Sequence, residues 1–231
     1  MQIPAVLREL RPDAIVLQEV LQHEHLQNQA EWLAAELGYA VHFSSVDPEG
    51  KVRRYGNAVL TPHPVLARDH AVLEPREDGR NAGMVRIEVR GQPVNVYVTH
   101  LHHTGEGAAL RERQVAGLMD FIARTSAEAP SIVGGDFNAL ADAPELAALT
   151  AGYVDSFGLL HPHAGPEATT LNLAWFDTPR RIDHIYFQQG RFQPLRSERL
   201  FTQPDDTGAW ASDHHGLLSV FAILPLAPRA R

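Results

Sequence analysis

The sequence predicts an α/β sandwich in which two packed sheets are covered by helices. Short apolar segments bounded by glycine, proline and polar turn residues recur along the 231 residues and are typical of strands. The segments 84–89 and 94–101 flank Arg90-Gly91-Gln92-Pro93, which predicts a β-hairpin. Many strands with only a few intervening helices favour packed sheets with helices outside them. We expect one domain over residues 1–231, because the sequence has no repeat, linker or second boundary.

In the N-terminal half, apolar patterns alternate between helical and strand periods. Residues 4–10 read as a helix that stops before Pro12, because the residue preceding a proline is biased away from helix. The next helix stops at Gly38, since glycine commonly follows the end of a helix. We predict helices at 4–10 and 24–37, strands at 14–19, 39–46, 57–61 and 65–73, and a charged loop at 74–82.

A longer helix and further strands follow in the C-terminal half. We predict helices at 108–124 and 143–149, strands at 131–137, 181–187 and 216–224, and a loop at 204–211. Residues 152–172 show no regular apolar period and are rich in polar residues, so an irregular loop region is expected there.

The charge balance restricts the partners of the chain. The formal net charge is -8, and Lys51 is the only lysine among the 20 basic residues. A protein that binds long duplex DNA tightly carries a basic face, so tight duplex binding is not expected, although Arg53-Arg54 and Arg180-Arg181 form local clusters. The sequence contains no cysteine, which excludes disulfides and thiolate metal sites. No apolar run has membrane-spanning length, so we expect no transmembrane segment and, for the chain as it stands, a cytoplasmic location.

The stretch from Ile132 to Asn138 carries the first functional signal. A β-branched apolar run ends in two glycines, and Asp136 and Asn138 follow. On an extended backbone, residues two apart point to the same side, so a carboxylate and an amide would lie together and suit a metal-held phosphate. An Asx turn that leaves the strand explains the same residues equally well, and the segment alone does not decide between the two interpretations.

Further polar groups stand at or beside the ends of apolar strands. Each has a structural explanation on its own, such as a solvated strand end or a hydrogen-bonded buried histidine. If the groups gather at one rim of the packed sheets, they form a site. With the pair above, the set is Glu19, His100, Asp136, Asn138, Asp183, Asp213 and His214.

The motifs that contain these residues resemble the endonuclease/exonuclease/phosphatase superfamily. They are QE at 18–19, GNAVLT at 56–61, THLHH at 99–103, GGDFN at 134–138, RRIDHI at 180–185 and SDHHGL at 212–217. Members of that superfamily include DNase I-like nucleases, AP endonucleases, sphingomyelinases and inositol-polyphosphate phosphatases. The resemblance implies a DNase I-like, four-layer α/β sandwich with two mainly antiparallel sheets, and divalent-metal hydrolysis of a phosphoester.

The resemblance also implies a role for each matching residue. Glu19 corresponds to a metal-binding glutamate and Asp213 to a second acidic group near the metal. Mg²⁺, or Mn²⁺ in its place, is the expected cofactor, because a hard cation takes carboxylate oxygens and keeps several waters.

The catalytic roles fall on five other residues. His214 corresponds to a histidine that activates water or contacts the phosphate, and Asp183 to the carboxylate that holds it. Asp136 and Asn138 correspond to a pair that positions the nucleophile and stabilises phosphate oxygens. His100 corresponds to a histidine that contacts the phosphate. A histidine with a carboxylate partner suits water attack, because its pKa can lie near neutrality.

We therefore predict a metal-dependent phosphoesterase, specifically a phosphodiesterase that uses water activated at a His/Asp pair. Its substrate class stays open among short nucleic acids, nucleotides, phospholipids and sugar phosphates, and the oligomeric state is not predicted. The superfamily normally opens with a strand ending in a metal-site Asn, which this chain lacks; a misassigned start or a truncation would explain that, and an upstream segment could have carried a secretion signal. The missing Asn favours an alternative, a binding module that retains the fold without turnover.

Overall fold

Strands dominate the computed structural model, which describes residues 2–225. The strands within that range are β1 (Ile15–Gln22), β2 (Ala40–Ser45), β3 (Arg54–Thr61), β4 (Val65–Val72), β5 (Asn81–Val89), β6 (Gln92–His100), β7 (Ser131–Asp136), β8 (Tyr153–Asp155), β9 (Asp183–Gln188), β10 (Phe192–Leu200) and β11 (Gly216–Ile223). The α-helices are α1 (Gln2–Leu10), α2 (Gln29–Leu37), α3 (Ala108–Thr125), α4 (Ala147–Thr150) and α5 (Ser156–Leu160). Short 3₁₀ helices span Arg76–Asp78, Pro144–Leu146 and Pro166–Ala168.

The larger sheet has six strands in the order β4-β5-β6-β7-β9-β8. All neighbours are antiparallel except β6 and β7, which are parallel and are joined by α3. A parallel connection needs a crossover of this kind, since the chain must return to the same end of the sheet. The crossover brings the ends of β6 and β7 to one rim.

The second layer consists of two smaller sheets. Strands β1, β3 and β2 form an antiparallel sheet in the order β1-β3-β2, and β10 pairs with β11. Within residues 2–225, β1 pairs with β3 alone and β11 with β10 alone. Each of these two sheets therefore has two free edges in the described part of the chain, and β1 and β11 each form one of them.

Three apolar clusters hold the layers together. Between the sheets, Val59 and Val96 pack with Phe187, and Val16 of β1 and Phe221 of β11 join the same cluster. A second cluster lies beneath α3 and a third beneath α1 and α2. Helices thus cover the outer faces of two packed, mainly antiparallel sheets, and the predicted α/β sandwich is confirmed.

Close contact between the layers occurs at β7. A Cβ added to Gly134 would lie 2.8 Å from Cγ2 of Val16, and one added to Gly135 would lie 2.0 Å from the carbonyl oxygen of Thr99. Any larger residue would displace β1 or β6. The two glycines therefore let three strands approach one another where β7 ends.

Three local predictions are wrong. The helix predicted at 24–37 begins only at Gln29, because the Asn28 side chain accepts hydrogen bonds from the backbone N–H groups of Ala30 and Glu31 and caps it there. Residues 152–160 are not an irregular loop, since they contain β8 and α5, whereas residues 161–172 are irregular as expected apart from one short 3₁₀ helix. Strand β10 is missing from the prediction, because its residues are charged and Pro194 lies at a register shift, which hides the strand period.

None of the helices in residues 2–225 combines the length and the apolar character needed to span a bilayer.

Candidate active site

Strand register aligns three of the predicted site residues. His100 on β6 is opposite Asp136 on β7, and Asp136 is opposite Asp183 on β9. Adjacent strands lie roughly 5 Å apart. Because all three residues stand at strand ends on the same rim, the register alone brings an imidazole and two carboxylates together.

A backbone pairing adds His214 to this rim. Leu171 and His214 form an isolated antiparallel bridge, and the backbone N–H of His215 donates to the carbonyl of Thr170 over 2.7 Å. His214 Nδ1 then lies 2.9 Å from Asp183 Oδ2. The loop that carries His214 is thus paired with residues 170–172, and Thr170 Oγ1 accepts in turn from the backbone N–H of Asp183 at the start of β9.

Asp136, Asp183 and His214 form a group with the spacing of metal ligands. One potential ligand atom from each residue lies within 4.8 Å of the other two. Burial, followed by the negative charge of Asp183, raises the pKa of Asp136 to about 7. Asp136 and Asp183 are adjacent carboxylates, and Asp136 is buried. Such a pair of anionic oxygen donors matches the oxygen-rich environment that hard divalent cations prefer. The residues present therefore fit a divalent cation.

The imidazole of His214 is strongly basic in this surrounding. Burial alone would lower the pKa of His214, but the hydrogen bond and charge of Asp183, together with the charges of Asp136 and Asp213, raise it to about 9. At neutral pH the ring is an imidazolium, which can donate to a phosphate oxygen. The ring can accept a proton from water only when a cation beside the carboxylates lowers the pKa of His214.

His100 is the neutral histidine of the site. Burial, and then the positive charges of Arg80 and His214, lower the pKa of His100 to about 3. Its Nε2 lies 3.5 Å from Asp136 Oδ2, and its Nδ1 lies 4.0 Å from Glu19 Oε1. Nδ1 is buried and has no hydrogen-bond partner within residues 2–225. A buried ring nitrogen without a partner is costly, so the geometry suits a ligand that completes this bond.

Glu19 and Asp213, the two predicted metal ligands, line the same cleft but lie outside the group of three. Glu19 stands at a register shift between Leu17 and Val20, has a φ of 57°, and keeps its side chain 67% exposed. A positive φ is strained for a residue with a Cβ and is common at functional positions. Asp213 is exposed, and its Oδ1 accepts from Ser212 Oγ. Their assignment to the metal stays a prediction.

The geometry of the Asp136–Asn138 pair differs from the extended arrangement. Strand β7 ends at Asp136, Asn138 has a φ of 51°, and the Asn138 backbone N–H donates to Asp136 Oδ1 over 2.8 Å. This is the Asx turn, the alternative that the sequence left open. The Asn138 amide donates one N–H to the carbonyl of Leu101, which leaves its second N–H for a ligand.

These side chains surround a cleft of about 720 Å³. Six of the seven predicted site residues line it: Glu19, His100, Asp136, Asn138, Asp213 and His214. Asp183 is not among the residues that line the cleft, but it is bonded to His214 and belongs to the group of three potential ligands.

Sequence reasoning missed Arg80, Tyr55 and Phe176, which also line the cleft. Arg80 is buried, and its Nη2 lies 3.2 Å from His103 Nδ1. Burial, followed by hydrogen bonding and charge from Glu19, raises the pKa of the Tyr55 hydroxyl. The only sequence signal for Arg80 is its place in a charged loop, which does not distinguish a buried guanidinium from a solvated one.

Comparison with known proteins identifies the family. A family model described as Endonuclease/Exonuclease/phosphatase family matches residues 2–214. The chain belongs to the endonuclease/exonuclease/phosphatase family. Members of this family are phosphoester hydrolases that generally depend on a divalent metal, so the resemblance found in the motifs is confirmed. No curated protein matches the sequence.

Solved structures share the fold at low sequence identity. A D. rerio TDP2 humanized by 14 mutations has a TM-score of 0.75 at 19% identity, over 95% of this chain and 89% of that chain. D. rerio TDP2 complexed with a single-strand DNA product has a TM-score of 0.75 at 18% identity, over 95% of this chain and 90% of that chain. The human nocturnin catalytic domain with a bound sulfate anion has a TM-score of 0.74 at 20% identity, over 96% of this chain and 84% of that chain.

Proposed function

We propose that this protein is a divalent-metal-dependent phosphodiesterase that uses direct attack by water. The observation that carries the proposal is the group of Asp136, Asp183 and His214 beside the neutral His100, at a cleft that His100, Asp136 and His214 line. Phosphoryl transfer depends mainly on positioning and on neutralising charge on the phosphate oxygens. The cleft contains groups for both tasks and lies in a chain of a phosphoesterase family.

His214 and Asp183 handle the proton. The Asp183 carboxylate accepts from Nδ1 of His214, which fixes the ring orientation and leaves Nε2 for the reacting groups. With Nε2 deprotonated, His214 takes the proton of the attacking water. With Nε2 protonated, it donates to an oxygen of the phosphate. General acid–base assistance of this kind contributes roughly 10²–10⁴ in rate.

Other side chains position the phosphate. His100, neutral and buried, can donate one N–H to a phosphate oxygen, and the second N–H of the Asn138 amide can do the same. Arg80 supplies a buried positive charge to the cleft. These donors offset the repulsion between an anionic substrate and the carboxylates.

The cation would be held by Asp136 and Asp183, with Glu19 and Asp213 of the cleft as further ligands. When bound there, Mg²⁺ or Mn²⁺ would neutralise the carboxylates and polarise a phosphate oxygen. Among substrates, phosphodiesters of short nucleic acids and nucleotides rank above phospholipids and sugar phosphates. The single-strand DNA product in D. rerio TDP2 supports this order, and so does the acidic net charge of -8, which disfavours anionic membranes.

A second function, binding without turnover, is favoured by one observation. Glu19 is 67% exposed in its side chain and lies outside the group of three potential ligands, so the cation would have fewer protein ligands than the motif implies. A module with a weakened cation site would still bind a phosphate through Arg80 and His100.

Hydrolysis of bis(4-nitrophenyl) phosphate and of 4-nitrophenyl phosphate, each with Mg²⁺, Mn²⁺ or EDTA, tests the proposal. We expect metal-dependent release of nitrophenol that is faster with the diester, and a loss of about 10²-fold or more in His214→Ala. His25→Ala is the matched control, since that histidine is 81% exposed in its side chain. Equal rates with and without EDTA would contradict metal dependence. No turnover of either ester, with phosphate binding retained, would favour the second function.

A further inference from the structure

A hydroxyl, an imidazole and a carboxylate form a hydrogen-bonded line outside the cleft. His102 Nε2 lies 2.8 Å from Thr104 Oγ1, and His102 Nδ1 lies 2.8 Å from Asp78 Oδ1. With the ring proton on Nδ1, His102 donates to Asp78 and accepts from the Thr104 hydroxyl. We call these three residues the threonine triad. Among the residues that line the cleft in the described part of the chain, none belongs to this triad.

The carboxylate of the triad keeps its negative charge. Burial would raise the pKa of Asp78, but hydrogen bonds from His102 and Gln114, followed by the charges of His102 and Arg80, lower it. Asp78 Oδ2 accepts from the side-chain amide of buried Gln114 over 2.6 Å. An ionised carboxylate at Nδ1 holds an imidazole in the tautomer whose Nε2 is an acceptor, which is the form that a general base needs.

Bonds outside the triad hold the loop that carries Thr104. Buried Arg111 donates from Nη1 to the carbonyls of His102 and Thr104 over 3.2 Å and 2.7 Å. The side-chain oxygen of Gln114 accepts from the backbone N–H of His102 over 2.8 Å. The contact between the hydroxyl and the imidazole is therefore additional to the bonds that fix the backbone of this loop.

The N-terminal end of α3 lies against the imidazole of the triad. A Cβ added to Gly107 would lie 2.1 Å from Cδ2 of His102, so a larger residue at this position would displace the ring. The backbone N–H groups of exposed Ala108 and Ala109 have no hydrogen-bond partner within residues 2–225. Free N–H groups at the start of an 18-residue helix favour negative charge, such as the oxyanion that forms when a hydroxyl attacks a carbonyl.

The nucleophile of the triad is open to solvent, and its partners are shielded. Thr104 is exposed, whereas the side chains of His102 and Asp78 are only 13% and 14% exposed. An accessible hydroxyl with an oriented base is the arrangement of enzymes that form covalent acyl intermediates. Gly105 and Glu106 next to Thr104 are exposed and offer no apolar surface. We therefore expect a small, water-soluble ester rather than a long-chain one.

We propose that the threonine triad is a second catalytic site, which hydrolyses small activated carboxylic esters through an acyl-threonine intermediate. Thr104 Oγ1 forms a bond to the carbonyl carbon of the ester, and its proton moves to His102 Nε2. The bond from the carbonyl carbon to the alcohol oxygen breaks, and the alcohol leaves with that proton. Water then attacks the acyl carbon with His102 as its base, and the carboxylic acid and free Thr104 are released. These steps use no cation, so they are independent of the phosphodiesterase proposed above.

Acetylation by 4-nitrophenyl acetate in EDTA tests the proposal. Since the sequence has no cysteine and Lys51 is its only lysine, few other side chains compete for the acetyl group. We expect a burst of nitrophenol in proportion to the amount of enzyme. After a rapid acid quench, peptide mass spectrometry should find one acetyl group on Thr104. Phenylmethylsulfonyl fluoride should modify the same hydroxyl and abolish the burst.

Variants separate the nucleophile, the base and the positioning carboxylate. Thr104→Val should abolish the burst and lower the steady rate about 10²-fold or more, whereas Thr104→Ser should retain both. His102→Gln should remove the burst although the hydroxyl remains. Asp78→Asn should slow acylation about 10²-fold or more, because an amide can hold the other tautomer of the ring. Thr207→Val is the matched control, since exposed Thr207 donates its hydroxyl to Asp205 rather than to an imidazole.

Acetyl groups found only on Lys51, on the N-terminal amine or on exposed histidines such as His25 would overturn the proposal. Equal bursts in wild type and in Thr104→Val would overturn it as well. Equal melting temperatures and circular dichroism spectra establish that each variant is folded. The location of the acetyl group in wild type needs no variant, so it decides the question even where a substitution prevents folding. Because the reaction runs in EDTA, its outcome is distinct from that of the metal-dependent hydrolysis of phosphodiesters.

Discussion

Arg80 shows how much of the site depends on one buried side chain. The guanidinium is almost fully enclosed, its Nε lies 3.8 Å from Asp78 Oδ2, and that Nε has no hydrogen-bond partner within residues 2–225. Asp78 is itself held by His102 and Gln114. Arg80 also lines the cleft, so its buried guanidinium can neutralise an anionic group that binds there.

Replacement of Arg80 should therefore reduce activity more than stability. We expect Arg80→Met to lower kcat/KM for a phosphodiester about 10²-fold, the size measured when one positioned donor to a reacting oxygen is removed. Arg80→Lys should recover only part of this loss, since lysine lacks the planar fork. Arg68→Met, on the exposed face of β4, is the control. A value of kcat/KM within twofold of wild type in folded Arg80→Met would exclude the role.

Asp155, at the end of β8, is a buried carboxylate with two basic neighbours. Arg181 Nη1 donates to Asp155 Oδ2 over 2.6 Å, and His184 Nδ1 lies 3.6 Å from Oδ1. Burial would raise the pKa of Asp155, but the hydrogen bonding and charge of His184 and the charge of Arg181 outweigh it and lower that pKa. A depressed carboxyl pKa gives stability that is present above the unfolded value of about 3.9 and lost as pH falls through the folded value.

Urea unfolding of wild type and Asp155→Asn between pH 7 and pH 3 measures this contribution. We expect the variant to be less stable at pH 7 and the two free energies of unfolding to converge as the pH falls below about 4. Asp206→Asn, at an exposed loop position, should follow wild type throughout. Parallel curves for wild type and Asp155→Asn would show that Asp155 is not responsible for the acid sensitivity.

At the scale of elements, the ends of strands β6, β7 and β9 build the rim. The register of the three strands places His100, Asp136 and Asp183 opposite one another. The close passage of β6 depends on Gly135, where a Cβ would lie 2.0 Å from the Thr99 carbonyl oxygen. A methyl group there must push β6 and β7 apart.

Gly135→Ala should thus weaken both the fold and the site. We expect a loss of about 1–3 kcal/mol in the free energy of unfolding, the usual cost of overpacking, and reduced activity because His100 and Asp136 move apart. Gly152→Ala provides the control, since a Cβ at Gly152 would have no heavy atom within 4 Å. Chemical denaturation of both variants gives the comparison. Equal stabilities would mean that the strands tolerate the methyl group.

The site residues that the sequence predicts are those that stand at the ends of strands. Asp136 ends the apolar strand β7 and Asp183 begins the apolar strand β9, and local pattern is enough to place a residue at the end of a strand. Arg80 and Phe176 lie in loops, and their burial follows from contacts with distant segments. For Asp136 and Asn138 the sequence allows two interpretations, an extended strand or an Asx turn, because two residues do not reveal whether a strand continues. The structure has the Asx turn.

At the scale of the whole molecule, the site connects segments distant in sequence. The group of possible ligands comes from β7, β9 and the loop before β11, and Glu19 adds β1. A cation bound by these residues would stabilise the native state over the unfolded chain, since the unfolded chain does not assemble them. Without a cation, the paired carboxylates Asp136 and Asp183 oppose folding.

Metal addition and removal should therefore change the stability of wild type but have little effect on that of Asp136→Asn. We expect Mg²⁺ or Mn²⁺ to raise the melting temperature of wild type and EDTA to reverse the rise. Asp136→Asn should melt higher than wild type in EDTA, because one buried charge is gone, and should show little response to metal. The same metal response in both proteins would place the cation elsewhere.

Within residues 2–225 β11 pairs with β10 alone, and its free edge has a consequence for handling the protein. The β11 segment from Leu217 to Ile223 has no charge, no proline and no glycine, which is the composition of segments that assemble across molecules. We expect concentrated protein to aggregate on mild heating through this edge. Val220 is 40% exposed, so Val220→Lys places a charge on this strand. We expect this variant to show a slower rise in light scattering on heating, at unchanged activity. Val52→Lys, which changes an exposed residue outside β11, should aggregate as fast as wild type.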